Sequence, residues 1–176
     1  MPAKLLLVET PTRPANDVPI REAVRAVVLD RENRVLLFKA FPDNTRSRYF
    51  WLTPGGGVAS GESAPAALQR ELAEECGLLA AEIGRLIWVR DHVFPMPSSG
   101  KPMRQRECFY LVRVEQPEID VSGWDDFERT FMGEHRWWTI DDVMASADEF
   151  APHRLGHLLA DLVNGRIPAE PIDTGI

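Results

Sequence analysis

The sequence predicts a single α/β domain on three observations: several β-branched or apolar runs of strand length, an amphipathic stretch with well-marked helical ends in the middle, and further helical stretches near the C-terminus. A length of 176 residues suits one compact unit, and 44% hydrophobic with 27% charged residues is the balance of a chain that buries a core in water. Residues 1–20 read as a loose lead-in, 21–168 as the domain, and 169–176 as a C-terminal tail.

The elements follow in order. The lead-in carries Pro11, Pro14 and Pro19 and no periodicity, with one short strand expected at residues 5–8. Residues 23–30 and 35–39 are apolar runs around a polar turn at 31–33, the pattern of a hairpin, and residues 49–52 predict a third strand. A glycine run, Gly55, Gly56 and Gly57, then precedes a helix expected over 63–76. Ser63 can cap that helix, Pro65 falls in the first turn where no intrahelical N–H bond is needed, and Gly77 suits a left-handed C-terminal turn. Further strands are expected at 85–94, 104–114 and 134–139, a long loop at 95–102, and helices at 140–147 and 153–164.

Charge and cysteine content narrow the function classes. With 27 acidic and 20 basic side chains the net charge is -7, which repels a polyanion and argues against a nucleic-acid polymer as partner. Two cysteines, Cys76 and Cys108, are too few for a disulfide scaffold, so a reducing, cytoplasmic setting is expected. The apolar run at 5–8 is far shorter than a signal-peptide core or a membrane span, and no membrane partner is expected.

The chemistry sits on the central helix. With Glu71 at zero on a helical wheel, Glu74 falls at roughly 300° and Glu75 at roughly 40°, so three carboxylates share one face. Leu68, Leu72 and Cys76 flank that arc and can face the core. Such like charges repel, and a hard cation such as Mg²⁺ or Mn²⁺, which prefers oxygen ligands, would relieve the repulsion. A solvated acidic face is the alternative. Two neighbours favour the cation: the glycine run, whose bare backbone N–H groups near a helix N-terminus suit an anion, and the spacing. Gly56 is followed after five residues by Glu62, then after seven by Arg70-Glu71-Leu72, Glu74-Glu75 and Gly77-Leu78.

That pattern, complete over residues 56–78, resembles the signature box of the Nudix hydrolase family, and a chance match is roughly below one in a million per chain. The resemblance implies an α/β/α sandwich around a mixed β-sheet and a metal-dependent hydrolase that cuts the pyrophosphate bond of a nucleoside diphosphate linked to another moiety. It implies Mg²⁺, with Mn²⁺ as a substitute, on Glu74 and Glu75, with Glu71 as ligand or base and the Gly56 carbonyl as a further ligand. Arg70 and Glu62 resemble the pair that braces the loop against the helix. Glu134 is a further candidate base, because family members often carry an acidic residue before the tryptophan strand, and Glu107 and Glu128 are weaker ones.

An acidic protein needs local cations to hold a polyphosphate, and Arg48, Arg104 and Arg106, with Arg46, lie in segments that could flank the box, as do the amides of Gly55, Gly56 and Gly57. Trp88, Trp137 and Trp138 could stack on a base or pack in the core. His153 and His157 have the spacing of a zinc pair, but no third ligand is near in sequence. Two other readings stay open: a sensor domain that binds a nucleotide without turnover, and an enzyme like isopentenyl-diphosphate isomerase. Family members are often homodimers, and no segment identifies an interface.

Overall fold

The computed structural model describes residues 18–96, 99–115 and 118–175, so the strand expected at 5–8 lies outside the described residues. Among the described residues eight strands form one mixed sheet: β1 (Ile20–Leu29), β2 (Val35–Ala40), β3 (Phe50–Leu52), β4 (Ile83–Pro95), β5 (Pro102–Arg113), β6 (Met132–Trp138), β7 (Phe150–Ala151) and β8 (Ile172–Asp173). Four helices accompany them among the same residues: α1 (Ala64–Cys76), α2 (Asp126–Phe131), α3 (Ile140–Ala145) and α4 (Leu155–Val163). The strand order is β7-β3-β2-β1-β5-β4-β8, with β6 on the other side of β2. Among the described residues no helix is long and apolar enough to cross a membrane.

Alternation along β1 builds the layers. Val24, Ala26 and Val28 face α1 and pack with its Ala67, Leu68, Leu72 and Cys76. Val27 and Leu29 face the other way, onto Val143 of α3 and Leu155, Leu158, Leu159 and Leu162 of α4, beside Trp51, Trp88 and Trp138. Both faces of β1 are therefore apolar in its second half, as a strand covered on both sides requires.

The expected hairpin is only partly formed. β1 and β2 are antiparallel, yet their paired register is confined to Leu29↔Val35, and the main partner of β1 is β5, parallel over its full length from Ile20↔Arg104 to Leu29↔Arg113. Local turn chemistry at 31–33 set the reversal, while the partner of β1 was decided by a strand distant in sequence. Where β1 and β2 diverge, the segment after β3 enters the gap: Ala26 N–H donates to Pro54 O and Val24 N–H to Gly56 O, each at 2.9 Å. The glycine run thus becomes part of the sheet at its open end.

Other differences are smaller. The loop expected at 95–102 is shorter, because β4 and β5 remain paired to Pro95↔Pro102. The short α2 was not anticipated, and residues 172–173, read as tail, pair with Trp88 and Val89 of β4 as β8.

Candidate active site

Helix α1 forms as its ends dictate. Ser63 accepts from Ala66 N–H at 3.4 Å, and Gly77, at φ 69°, closes the last turn by donating to Ala73 O at 3.1 Å. The helix buries its Leu68/Leu72 stripe against the sheet, and this packing carries Glu71 and Glu75 inward with it. Glu74, on the rim of the same face, keeps a side chain 52% exposed.

Arg70 ties the helix to the preceding loop. Its Nε and Nη2 donate to the two carboxylate oxygens of Glu62 at 3.0 Å each, Nη2 also donates to Gly57 O at 3.0 Å, and Nη1 reaches Glu71 at 2.7 Å and Glu74 at 3.3 Å. The fork of one guanidinium fits this set, which an ammonium would not. Its bonds to Glu62 and then Glu71 raise the Arg70 pKa above its ordinary value, and the same contact holds Glu62 below the usual carboxylate range.

The glycine turn is shaped by close approach. Gly55 adopts φ 131°, and a Cβ there would sit 2.2 Å from Val24 O. A Cβ on Gly56 would lie 2.5 Å from the Glu71 carboxylate, so that carboxylate rests directly over the turn. The Gly55 N–H donates to Glu75 Oε2 at 2.7 Å. The turn's polar groups are therefore largely engaged: the Gly56 carbonyl, expected as a ligand, already accepts one bond from Val24 and keeps a second lone pair.

Glu128 completes the group. Ligand-capable oxygens of Glu71, Glu75 and Glu128 lie within 4.8 Å of one another. The residues that bring Glu128 there wrap the C-terminal end of α1: Asp120 N–H donates to Cys76 O at 3.0 Å, and Trp124 Nε1 donates to Glu75 O at 3.0 Å with its ring 5.7 Å from that of Phe38. Asp125 then caps α2 through a capping box in which its own N–H donates to Glu128 Oε2 at 2.6 Å. Burial pushes the Glu75 carboxyl up to about 8, against the opposing pull of the Gly55 N–H and Arg25. Burial also raises Glu128, with Asp125, Glu71 and Glu74 adding repulsion. Carboxylates held protonatable by burial and by one another are the set a divalent cation would discharge.

The remaining candidates lie elsewhere. Glu134 is 64% exposed and pairs with Lys39 at 2.9 Å; by strand alternation it shares the face of Trp138, opposite α1. Arg48 is exposed and 3.7 Å from Glu149. Arg104 grips Asp91 with two bonds of 2.8 and 2.7 Å, and Arg106 lies between Asp91 and Glu22 at 3.4 and 3.5 Å. Arg46 lies over Phe41 and donates to the carbonyls of Arg129, Thr130 and Met132 at the end of α2. Trp88 and Trp138 are core residues, Trp137 packs against the α1-side cluster, and His153 and His157 are exposed.

Arg25 belongs to the site although no motif marks it in the sequence. This side chain lies in β1, donates to Gly55 O at 2.8 Å and to Thr53 O at 3.3 Å, and pairs through Nε with Glu107 at 2.9 Å. Glu107, fully buried, also accepts from Arg90 Nε at 2.6 Å and Gln105 at 2.8 Å, so it is a structural counter-charge with its oxygens committed. Burial raises its pKa, but Arg25, His92 and Arg90 outweigh that and hold it well below the usual carboxylate range. The one sequence signal was an arginine interrupting an apolar strand.

A NUDIX domain model matches residues 19–162. An RNA pyrophosphohydrolase of Francisella tularensis subsp. tularensis is 33% identical over 135 residues, covering 70% of this chain and 83% of that protein. One from Wolbachia pipientis is 28% identical over 138 residues, covering 74% and 81%. Among solved structures, a MutT protein from Methanosarcina mazei superposes with a TM-score of 0.63 at 15% identity, over 86% of this chain and 99% of that one. The E. coli dihydroneopterin triphosphate pyrophosphohydrolase gives 0.62 at 17%, over 84% and 99%. These two likenesses concern the fold. With its box intact over residues 56–78 and a family match spanning most of its length, the chain belongs to the Nudix hydrolase family.

Proposed function

We propose that this Nudix hydrolase cuts the pyrophosphate bond of a nucleoside diphosphate derivative at the group formed by Glu71, Glu75 and Glu128, with Mg²⁺ as its cation and Mn²⁺ as a substitute. The carrying observation is the convergence of three carboxylates within 4.8 Å beside the glycine turn. The donor set fits the ion, being all oxygen and partly buried, with Glu74 and the second lone pair of the Gly56 carbonyl at its rim. When bound, the cation neutralises phosphate oxygens and acidifies a water.

The chain's own groups do the rest. Arg70 fixes the orientation of Glu71 and keeps Glu62 and Gly57 against the helix, so the acidic group is organised before substrate arrives. Glu128 is the base we assign, which leaves Glu71 and Glu75 to hold the cation: its Oε2 is held by the Asp125 N–H, its Oε1 takes the proton from the attacking water, and its raised pKa brings it nearer neutrality. Glu134, committed to Lys39 on the opposite face, has no part in that transfer.

The test is a panel of nucleoside triphosphates, dinucleoside polyphosphates, nucleotide sugars and ADP-ribose with Mg²⁺, followed by monophosphate release. Turnover that disappears in Glu75→Gln and falls by about 10²–10⁴ in Glu128→Gln, with the fold retained, is the expected result. Nucleotide binding without product under either metal would sink the reading and leave the sensor. The relatives named RNA pyrophosphohydrolase support a second reading, in which the diphosphate is removed from an RNA 5′ end. The net charge of -7 weighs against a polymer, and a 5′-triphosphorylated oligonucleotide in the panel decides between the two. A cytoplasmic homodimer belongs to the same reading, with light scattering as the check on its mass.

A further inference from the structure

Helix α2 brings Glu128 to the acidic group, yet none of its six residues is buried, so no side chain anchors it in the core. A helix of that length does not stand by itself, and its position depends on what satisfies its ends. The first end is closed by the Asp125 capping box, in which the Glu128 carboxylate is itself the partner of the Asp125 N–H. Any drift of the helix therefore moves that carboxylate.

The last end is closed from the connection between β2 and β3. Glu128 O accepts from Met132 N–H, the helix's own C-cap. The carbonyls that follow are met by Arg46, which donates from Nη2 to Arg129 O at 2.9 Å and Met132 O at 2.8 Å, and from Nε and Nη2 to Thr130 O at 3.2 Å each. Phe41 N–H donates to the remaining one, Phe131 O, at 2.9 Å. One guanidinium thus serves three carbonyls, and its positive charge suits a helix C-terminus.

Phe41 also sets the guanidinium, which lies over its ring 4.4 Å from the centre. The same ring fills the space beside Gly133, where a Cβ would come within 2.9 Å, as the chain leaves α2 for β6. The backbone of Arg46 sits in the left-handed region at φ 55°, which glycine adopts more readily. An arginine in that conformation has its use in its side chain, and the side chain is directed at main-chain carbonyls, not at the open face where a polyphosphate contact was expected.

We infer that Arg46 is a positioning residue for the hydrolysis: it clamps the C-terminal end of α2 and so holds the Glu128 carboxylate where it meets the attacking water. The inference rests on Glu128 as the base, assigned above.

The test is Arg46→Gly in the full chain, a change that relieves the backbone while it removes the clamp. With the nucleotide that the panel turns over fastest, kcat should fall about tenfold and KM stay within about twofold, since misplacing a reacting group by about 1 Å costs up to about 10²-fold. In the Glu128→Gln background the same change should cost less than about twofold, because both act through one group. Amide hydrogen exchange over residues 126–132, followed in EDTA, should speed up about tenfold. A rise in KM with kcat unchanged would make Arg46 a substrate contact and overturn the inference, as would an equal loss in both backgrounds or unchanged exchange. A wild-type kcat in Glu128→Gln alone removes the base assignment, and this inference with it. Exchange needs neither metal nor turnover, so a chain that hydrolyses nothing yet loses protection in Arg46→Gly retains the clamp and loses the hydrolase reading alone.

Discussion

At the scale of single residues, the energetics of Glu75 set a pH signature. A carboxyl raised from 4.5 to about 8 by burial binds a proton in the folded state that it releases on unfolding, so its contribution is complete at low pH and is lost as pH rises through that interval. In EDTA the thermal midpoint should therefore fall between pH 4.5 and 8, with a shallower slope in Glu75→Gln and in wild type with Mg²⁺. A slope equal in the wild type and the variant would show that Glu75 is not the group responsible. Two of the candidate bases, Glu128 and Glu134, separate just as cleanly. Glu128→Gln should lower kcat by about 10²–10⁴, the ordinary worth of a general base. Glu134→Gln breaks only an exposed pair with Lys39, a contact worth about 1 kcal/mol or less, and should leave kcat within about twofold.

At the scale of elements, the glycine turn divides stability from chemistry. Gly55→Ala should cost about 1–3 kcal/mol or more in urea unfolding, since φ 131° and the Val24 carbonyl both oppose a side chain. Gly56→Ala has no such backbone strain, and its methyl group would instead displace the Glu71 carboxylate, so the expected outcome is weaker cation binding with a smaller loss of stability. The boundaries of α1 were legible in the sequence because Ser63, Pro65 and Gly77 act within one turn of their own positions. The pairing of β1 was not, because Val24 or Ala26 looks the same beside β2 as beside β5, and the choice lies with residues far along the chain. Helix α2 escaped for a similar reason: six residues carry too little periodicity to stand out, and its value lies in where Asp120 and Trp124 anchor it. Glu71, Glu74 and Glu75 could thus be placed on one face from spacing alone, whereas the arrival of Glu128 beside two of them could not.

At the scale of the whole molecule, the sheet separates two charge clusters of opposite sign, with the glycine turn between them. Their stabilities depend on each other through Arg25, which bonds both Glu107 and the turn. Glu107→Ala should lower stability by about 3–5 kcal/mol, since it leaves two buried guanidinium groups without their counter-ion, and the shift in the urea midpoint measures it. The segment from Asp120 to Phe131 has a different consequence. Its Trp124 indole is bonded to the main chain of Glu75 and lies against Phe38, so the local electric field at that ring changes when the nearby carboxylates gain a counter-charge. The protein thereby carries its own optical gauge of occupancy. Magnesium added to the apo form should shift the tryptophan emission, and the part of the shift that vanishes in Trp124→Phe reports how full the pocket is without any substrate present.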